Sequence, residues 1–280
     1  MPDYYFLLFE LIIYIQFALC LRHALKHGAQ NLLKLGFGII FGVMLELATI
    51  RQLNAYEYGQ FFIMVLDVPL CIGVAWSCII YSAMEFSDAA SLPYFLRPVL
   101  DGLLGLNIDL ALDAAAIRFG FWDWGQGLEF QFFGVPYANF WAWFWVVLSF
   151  SLGYRLLARH SGWAKWLSAP LAFFVGLTGV LGTNAFIAFV VPGGIRTGVI
   201  AVTLAAALVI VFLLRPKFYQ KPADPLAFWV PFLTHAYVLI AGVISGVILD
   251  PTFLLGMGLA MLAASLALHW KTVKQIVISN

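Results

Sequence analysis

Several carboxylic acids lie in the apolar stretches near residues 32–119, among them Glu46, Asp67, Asp101, Asp109 and Asp113. Asp109 and Asp113 are four residues apart, so on a helix they project from one face with Cβ atoms about 5–6 Å apart. Burial and mutual repulsion both disfavour two negative charges in one apolar pocket. The spacing therefore predicts a carboxylic acid that stays neutral at neutral pH and can protonate a weakly basic group.

The carboxyls in these apolar stretches also have a structural interpretation, in which they cap loops or pair with Arg51 and Arg118. Asp101 and Glu10 fit that interpretation better than a catalytic one. Asp67 fits either a partner of a helix kink or a residue of the site.

Aromatic residues are dense in the segment that follows the two aspartates. Trp122 and Trp124 come directly after the acid-bearing stretch, and Trp141 and Trp143 follow a turn that contains Pro136. One interpretation is a belt of aromatic side chains at the membrane interface. The other is a defined re-entrant turn in which aromatic faces beside an acid stabilise a carbocation through cation–π attraction.

The elements that position these residues are predicted to be membrane-spanning helices. Hydrophobic residues make up 63% of the 280 residues and charged residues 10%, against about 45–50% and about 25% in soluble domains. A spanning helix needs about 20 mostly apolar residues. Nine segments meet that test, near residues 4–21, 32–50, 61–86, 98–119, 138–158, 166–191, 195–214, 226–249 and 252–270. We therefore predict an all-α, polytopic membrane bundle of eight or nine helices, forming a single domain over residues 1–280.

The positive charges favour nine spans and one orientation. With nine spans, twelve Lys and Arg residues fall on one side of the membrane and three on the other. The positive-inside rule then places the C-terminus in the cytoplasm and the N-terminus outside a prokaryotic plasma membrane. A net charge of +1 with scattered basic residues excludes nucleic acid as an expected partner.

Cofactor motifs do not occur in the sequence. Cys20, Cys71 and Cys78 lie in apolar runs without metal-ligand spacing, and no zinc, nucleotide or serine-hydrolase fingerprint is present. His235 and Asn184 are polar exceptions in apolar runs, where interhelical hydrogen bonding is the more ordinary role. We expect no metal and no cofactor.

Several motifs together resemble a known family. They are Asp109-x-x-x-Asp113, Gly120-Phe121-Trp122-x-Trp124, Phe133-Gly134-Val135-Pro136-x-x-Asn139-Phe140-x-x-Trp143 and, upstream, Glu46, Tyr56-x-Tyr58, Val68-Pro69-Leu70 and Ala75-Trp76. This pattern, over residues 40–155, resembles the membrane carotenoid hydratases of the carotenoid 1',2'-hydratase and bisanhydrobacterioruberin hydratase type. The chain departs from the family pattern at Ala114 and Trp141, and residues 166–270 carry no diagnostic motif.

The resemblance implies a hydro-lyase that adds water, without a cofactor, to the terminal double bond of an acyclic carotenoid. Asp109 or Asp113 would donate the proton, with the other aspartate or Glu46 as its partner. The substrate would be a lipophilic polyene taken from the bilayer, and other enzymes of carotenoid biosynthesis are candidate partners. The expected substrate-binding residues are Trp76, Trp122 and Trp124 around the cation, Asn139 or Tyr58 orienting water, and Phe133 and Trp143.

Two other functions use similar residues. A carotenoid or terpene cyclase would employ the same acid and aromatic groups, with an internal alkene capturing the cation instead of water. A small-solute transporter would also need intramembrane carboxylates and broken helices. The sequence shows no inverted-repeat pairing, which disfavours transport.

Overall fold

A computed structural model describes residues 3–53, 56–125, 131–214 and 222–278. Within these ranges the chain forms ten α-helices, and each of the first nine overlaps one of the nine predicted apolar segments, which confirms an all-α membrane bundle. The helices are α1 Tyr4–His27, α2 Ala29–Leu53, α3 Leu70–Ala89, α4 Arg97–Phe119, α5 Tyr137–Ala158, α6 Ser168–Ala185, α7 Gly193–Leu213, α8 Pro225–Ser245, α9 Thr252–Leu268 and α10 Trp270–Ile278.

Seven helices within the described ranges are long and apolar enough to cross a membrane, and the bent pair of α9 and α10 makes up to eight. The axes of α9 and α10 differ by 74°. The helix α4 has comparable length but carries Asp101, Asp109 and Asp113 among its buried residues. The short segment Phe186–Val190 continues α6 as a π-helical turn.

The helix α3 begins nine residues later than the predicted segment, at Leu70. Residues 61–69 instead contain a short hairpin in which β2, Met64–Val65, pairs with β3, Val68–Pro69. Proline has no backbone N–H and a fixed φ, so Pro69 suits the extended position that precedes the first helical turn. Asp67 lies in this hairpin, where it pairs with Arg51 on the surface at 2.7 Å.

A second pair of strands closes the end of the bundle that carries the aromatic residues, which we call the aromatic end. Here β1, Glu57–Tyr58, pairs antiparallel with β4, Trp122–Asp123, and places Tyr58 opposite Trp122. The loop predicted as a re-entrant turn thus begins with a strand. Gly127, one of the glycines of that loop, lies outside the described residues.

The helix α3 occupies the centre of the bundle, and nearly all of its residues are buried. It packs against α1, α2, α4 and α8, while α6 packs against α5 and α2 on the other side. The side chains of α7 are mostly exposed, as expected for a helix that faces lipid.

The opposite end of the bundle contains buried ion pairs. Arg155 of α5 contacts Asp101 of α4 at 3.3 Å and also pairs with Asp88. Lys34 of α2 is likewise buried and bonds Glu85 at 2.8 Å. Two of the twelve basic residues counted for the orientation are therefore inside the bundle. Three others, Arg215, Lys217 and Lys221, lie outside the described residues.

Candidate active site

Asp109 and Asp113 project from the same face of α4, as their spacing predicts, and a single amide joins them. The Nδ2 of Asn139 donates to Oδ2 of Asp113 at 2.6 Å and to Oδ1 of Asp109 at 3.0 Å. Asn139 belongs to the first turn of α5, which starts directly after Pro136. All three side chains are buried. The two carboxyls thus face one shared donor.

The aspartate pair has no cationic partner in the described part of the chain. None of the ion pairs there includes Asp109, Asp113 or Glu46. The amide of Asn139 is neutral and leaves the repulsion between two carboxylates uncompensated. Such an arrangement favours one proton shared by the pair.

Glu46 of α2 has a different environment, in which three donors converge on one carboxyl. Trp76 donates its indole N–H to Oε1 at 2.6 Å, and Tyr58 donates its hydroxyl to Oε2 at 2.7 Å. Tyr56 also donates its hydroxyl to Oε2. Hydrogen bonds of this kind stabilise the ionised form of a carboxyl group.

The two tyrosines remain hydrogen-bond donors over the physiological pH range. Burial, together with the negative charge of Glu46, holds the pKa of Tyr58 well above its usual value. The same two causes raise the pKa of Tyr56 well above its usual value. Both phenols therefore keep the protons that they donate to Glu46.

Small residues at the crossing of α2 and α3 set the position of Glu46. A Cβ atom on Gly42 would lie 2.8 Å from the carbonyl oxygen of Gly73 and 2.9 Å from Cβ of Trp76. The two helices can approach this closely only because both positions are glycine. Glu46 lies one turn after Gly42 and so reaches the indole of Trp76.

These groups open onto a cavity of about 490 Å³. Asp113 and Glu46 both line it. Trp76 of α3 and Trp143 of α5 line it as well, and the centroids of their rings are 4.3 Å apart. The remaining wall is mostly apolar. Of the residues predicted for the site, Glu46, Asp113, Tyr58, Trp76, Trp122, Trp124, Asn139 and Trp143 line the cavity.

A family model for carotenoid biosynthesis proteins matches residues 4–214. The chain belongs to the carotenoid biosynthesis protein family. Comparison with curated proteins and with solved structures found no match. The matched region extends beyond the motifs at residues 40–155 in both directions and contains seven helices, α1 to α7. It therefore includes all of the carboxyls described above and supports a role in carotenoid biosynthesis.

Two of the predicted residues of this family member do not line the cavity. Asp109 is connected to the site through its contacts with Asp113 and with the amide of Asn139. The ring of Phe133 packs against Phe253 with centroids 5.3 Å apart. The backbone of Phe133 has φ +52°, and its carbonyl accepts a hydrogen bond from Arg118 at 3.1 Å. Phe133 thus helps to shape the loop and does not contact the cavity.

Other lining residues were not assigned to the site from the sequence. They are polar side chains from five different parts of the fold: Thr49, Tyr56, Asn184, Arg196 and Thr234. Asn184 interrupts an apolar run, which is a signal, but a lone polar residue in a helix more often serves packing. Thr234 lies on α8, beyond the residues that the family model matches.

The cavity has an open side and a closed side. At α6 and its π-helical turn the lining residues Ala185, Ala188 and Phe189 are exposed. On the side of α1 and α8, the lining residues are buried. The helices α2, α3, α4 and α5, which carry the carboxyls or their partners, lie between these two sides.

Proposed function

We propose that this protein is a carotenoid hydratase that adds water to the terminal double bond of an acyclic carotenoid. One observation carries the proposal: Asp113, paired with Asp109 through Asn139 and without a cation, faces an aromatic cavity that also contains Glu46. A proton donor and a stabiliser of positive charge are the two groups that alkene hydration requires.

The first step is protonation of the alkene. Asp113 lines the cavity and Asp109 does not, so Asp113 donates its proton to the less substituted carbon of the terminal double bond. The π electrons of that bond form the new C–H bond, and the other carbon becomes a tertiary cation. Asp109 and Asn139 share the negative charge left on the pair.

The cation is stabilised by aromatic faces and by the carboxyl group of Glu46. Trp76 and Trp143 present indole rings to the cavity, and indole is the strongest of the aromatic groups for cation–π attraction. The carboxyl oxygens of Glu46, held in place by hydrogen bonds from Trp76, Tyr56 and Tyr58, face the same cavity and attract the cation. These groups are already oriented before the charge develops, which is the condition for effective electrostatic stabilisation.

The second step is capture by water. A lone pair of a water molecule forms the C–O bond to the tertiary cation, and the resulting oxonium loses a proton to the aspartate pair. The pair then has its initial proton again, and the product is a tertiary alcohol. Neither electrons nor a further reactant are needed, so the cycle closes without a cofactor.

The rest of the substrate extends toward the bilayer. The open side of the cavity at α6 exposes apolar residues such as Phe189, which suits the tail of a long polyene. We propose further that the protein lies in a prokaryotic plasma membrane, with its N-terminus outside and its C-terminus in the cytoplasm, as the positive charges indicate.

Expression of the chain in lycopene-producing bacteria, followed by mass spectrometry of the pigments, tests the proposal. Hydration gives pigments heavier by one or two waters, and these should be missing from cells that carry Asp113→Asn. Pigments of unchanged mass with a shortened chromophore would instead establish a cyclase. Other acyclic carotenoid precursors are supplied in parallel, and failure to modify any of them would refute the hydratase.

A further inference from the structure

The closed side of the cavity contains a polar pair between α1 and α8. Gln16 donates from Nε2 to Oγ1 of Thr234 at 2.9 Å, and both side chains are buried. Thr234 lines the cavity. Gln16 does not itself line the cavity, but it lies on the same face of α1 as Phe9 and Ile13, which do, because the three residues are spaced by four and three.

Gln16 is level with the reacting groups. The helices α1 and α3 run in the same direction, and His23 of α1 bonds Tyr81 of α3 at 2.8 Å. Gln16 is seven residues before His23, so its counterpart on α3 is Val74. That helical turn also carries Trp76, the donor to Glu46.

The pair presents two acceptor atoms to a ligand. Thr234 donates its own hydroxyl proton to the carbonyl of Val230 at 3.2 Å, which leaves a lone pair on Oγ1. The Oε1 of Gln16 is buried and accepts no hydrogen bond from any of the described residues. Buried carbonyl oxygens are nearly always hydrogen-bonded, to protein or to water. We therefore expect the amide oxygen of Gln16 to accept a hydrogen bond from a bound ligand.

We propose that Gln16 and Thr234 bind the water molecule that attacks the cation, an inference that rests on the proposed hydratase function. A water that donates its two protons to Oε1 of Gln16 and Oγ1 of Thr234 keeps its lone pairs free. The lone pairs then point away from both acceptors, toward the apolar space of the cavity. One of them forms the C–O bond. The oxonium then rotates about that bond, turns one O–H away from its acceptor and releases that proton to the aspartate pair. Gln16 and Thr234 are thus positioning residues and do not exchange protons.

The ratio of products tests this proposal, using the full-length protein in cells that make the substrate. The variants Gln16→Met and Thr234→Val remove one acceptor each and keep the side-chain volume. Protonation still occurs in both, but the cation now loses a proton or cyclises more often. We expect the ratio of hydrated to unhydrated products to fall roughly threefold to tenfold, as for loss of one hydrogen bond.

A matched control is Thr178→Val on α6. Thr178 bonds the carbonyl of Phe174 four residues earlier at 2.7 Å, as Thr234 bonds Val230, but it is exposed and does not line the cavity. This variant should keep the wild-type product ratio. The ratio is measured per molecule of substrate consumed, so it does not depend on how much of a variant folds.

Each other outcome overturns the proposal. If both cavity variants keep the wild-type ratio, or lose all conversion of substrate, Gln16 and Thr234 do not position water. If the wild-type protein hydrates the substrate and both variants give the same product ratio as wild type, the water site is refuted and the hydratase function is not. A wild-type protein that gives only products of unchanged mass refutes the hydratase and the water site together.

Discussion

The bundle buries acidic residues in two regions, and their surroundings differ in one respect. At the aromatic end, Asp109, Asp113 and Glu46 are bonded by neutral donors only. At the opposite end, Asp101 is bonded by the guanidinium of Arg155, and the hydroxyl of Ser151 donates to it at 2.5 Å. The first region keeps its acids without counter-charge, and the second neutralises them.

This difference separates a reactive role from a structural one. A buried carboxylate beside an arginine is a poor proton donor, because the positive charge favours its ionised form. A buried carboxyl pair without a cation retains a proton that it can transfer. Burial of an acid within the membrane is therefore not sufficient to assign catalysis, and the partner of the acid decides its role.

The largest effect is expected at Asp113. Replacing it with asparagine removes the transferable proton while keeping a similar shape, and we expect turnover to fall by about 10²- to 10⁴-fold, the usual contribution of a general acid. The measurement is the rate of hydrated pigment formation per amount of purified protein in detergent or vesicles. The thermal unfolding midpoint of the variant is measured alongside, to exclude loss of fold.

Asp109→Asn is the informative companion to this variant. Asp109 does not line the cavity, so its replacement should reduce turnover less than replacement of Asp113. An Asp109 variant that is inactive while the Asp113 variant turns over normally would reverse the assignment of the donor.

The next effect concerns stability at the opposite end. Arg155→Ala leaves Asp101 buried without its cationic partner. Removing one member of a buried ion pair lowers the free energy of unfolding by about 3–5 kcal/mol, and we expect a loss of that size. Thermal unfolding in detergent should show this loss directly.

A second change at the same position sharpens the comparison. The double variant Arg155→Met with Asp101→Leu removes both charges, and we expect it to recover most of the lost stability. If Arg155→Ala were as stable as wild type, the ion pairs of Arg155 would not stabilise the fold, and the structural role assigned to this end would be wrong.

The sequence predicts the fold and part of the site, because both depend on local patterns. Apolar runs of spanning length give nine of the helices, and the spacing of Asp109 and Asp113 gives their common face. The contacts that complete the site lie between distant segments. Asn139, predicted to orient water or bind substrate, lines the cavity, and only the crossing of α4 and α5 shows that its amide nitrogen also joins the two aspartates.

Charge counting shows a similar limit. Lys34 and Arg155 were assigned to loops on one side of the membrane, yet both are buried in ion pairs. Sequence position near the end of an apolar run does not reveal whether a basic side chain faces the lipid headgroups or the interior. The partner, Glu85 or Asp101, comes from another helix and is known only after folding.

A smaller effect is expected for Glu46→Gln, because the proton donor remains. The variant keeps one oxygen acceptor, for the tyrosines or for Trp76, and places an amide NH₂ group where the other carboxyl oxygen faced the cavity. We expect turnover to fall by about 10²- to 10³-fold, the effect of removing one electrostatic stabiliser of a transition state. Product analysis by mass spectrometry should still find hydrated pigment at low yield. Wild-type turnover would show that Glu46 acts only in packing.

The smallest effect is expected for Asp67→Asn, the counterpart of these variants at an exposed position. The Asp67 carboxylate bonds Arg51 at 2.7 Å, but both side chains are more than half exposed, at 54% and 55%. Water screens such a pair, so its loss should change the unfolding free energy by less than about 1 kcal/mol. Turnover should equal that of wild type, because Asp67 does not line the cavity. The substitution converts a carboxylate to an amide, as Asp113→Asn does. A large loss of activity here would mean that the loss in Asp113→Asn is not specific to the acids that line the cavity.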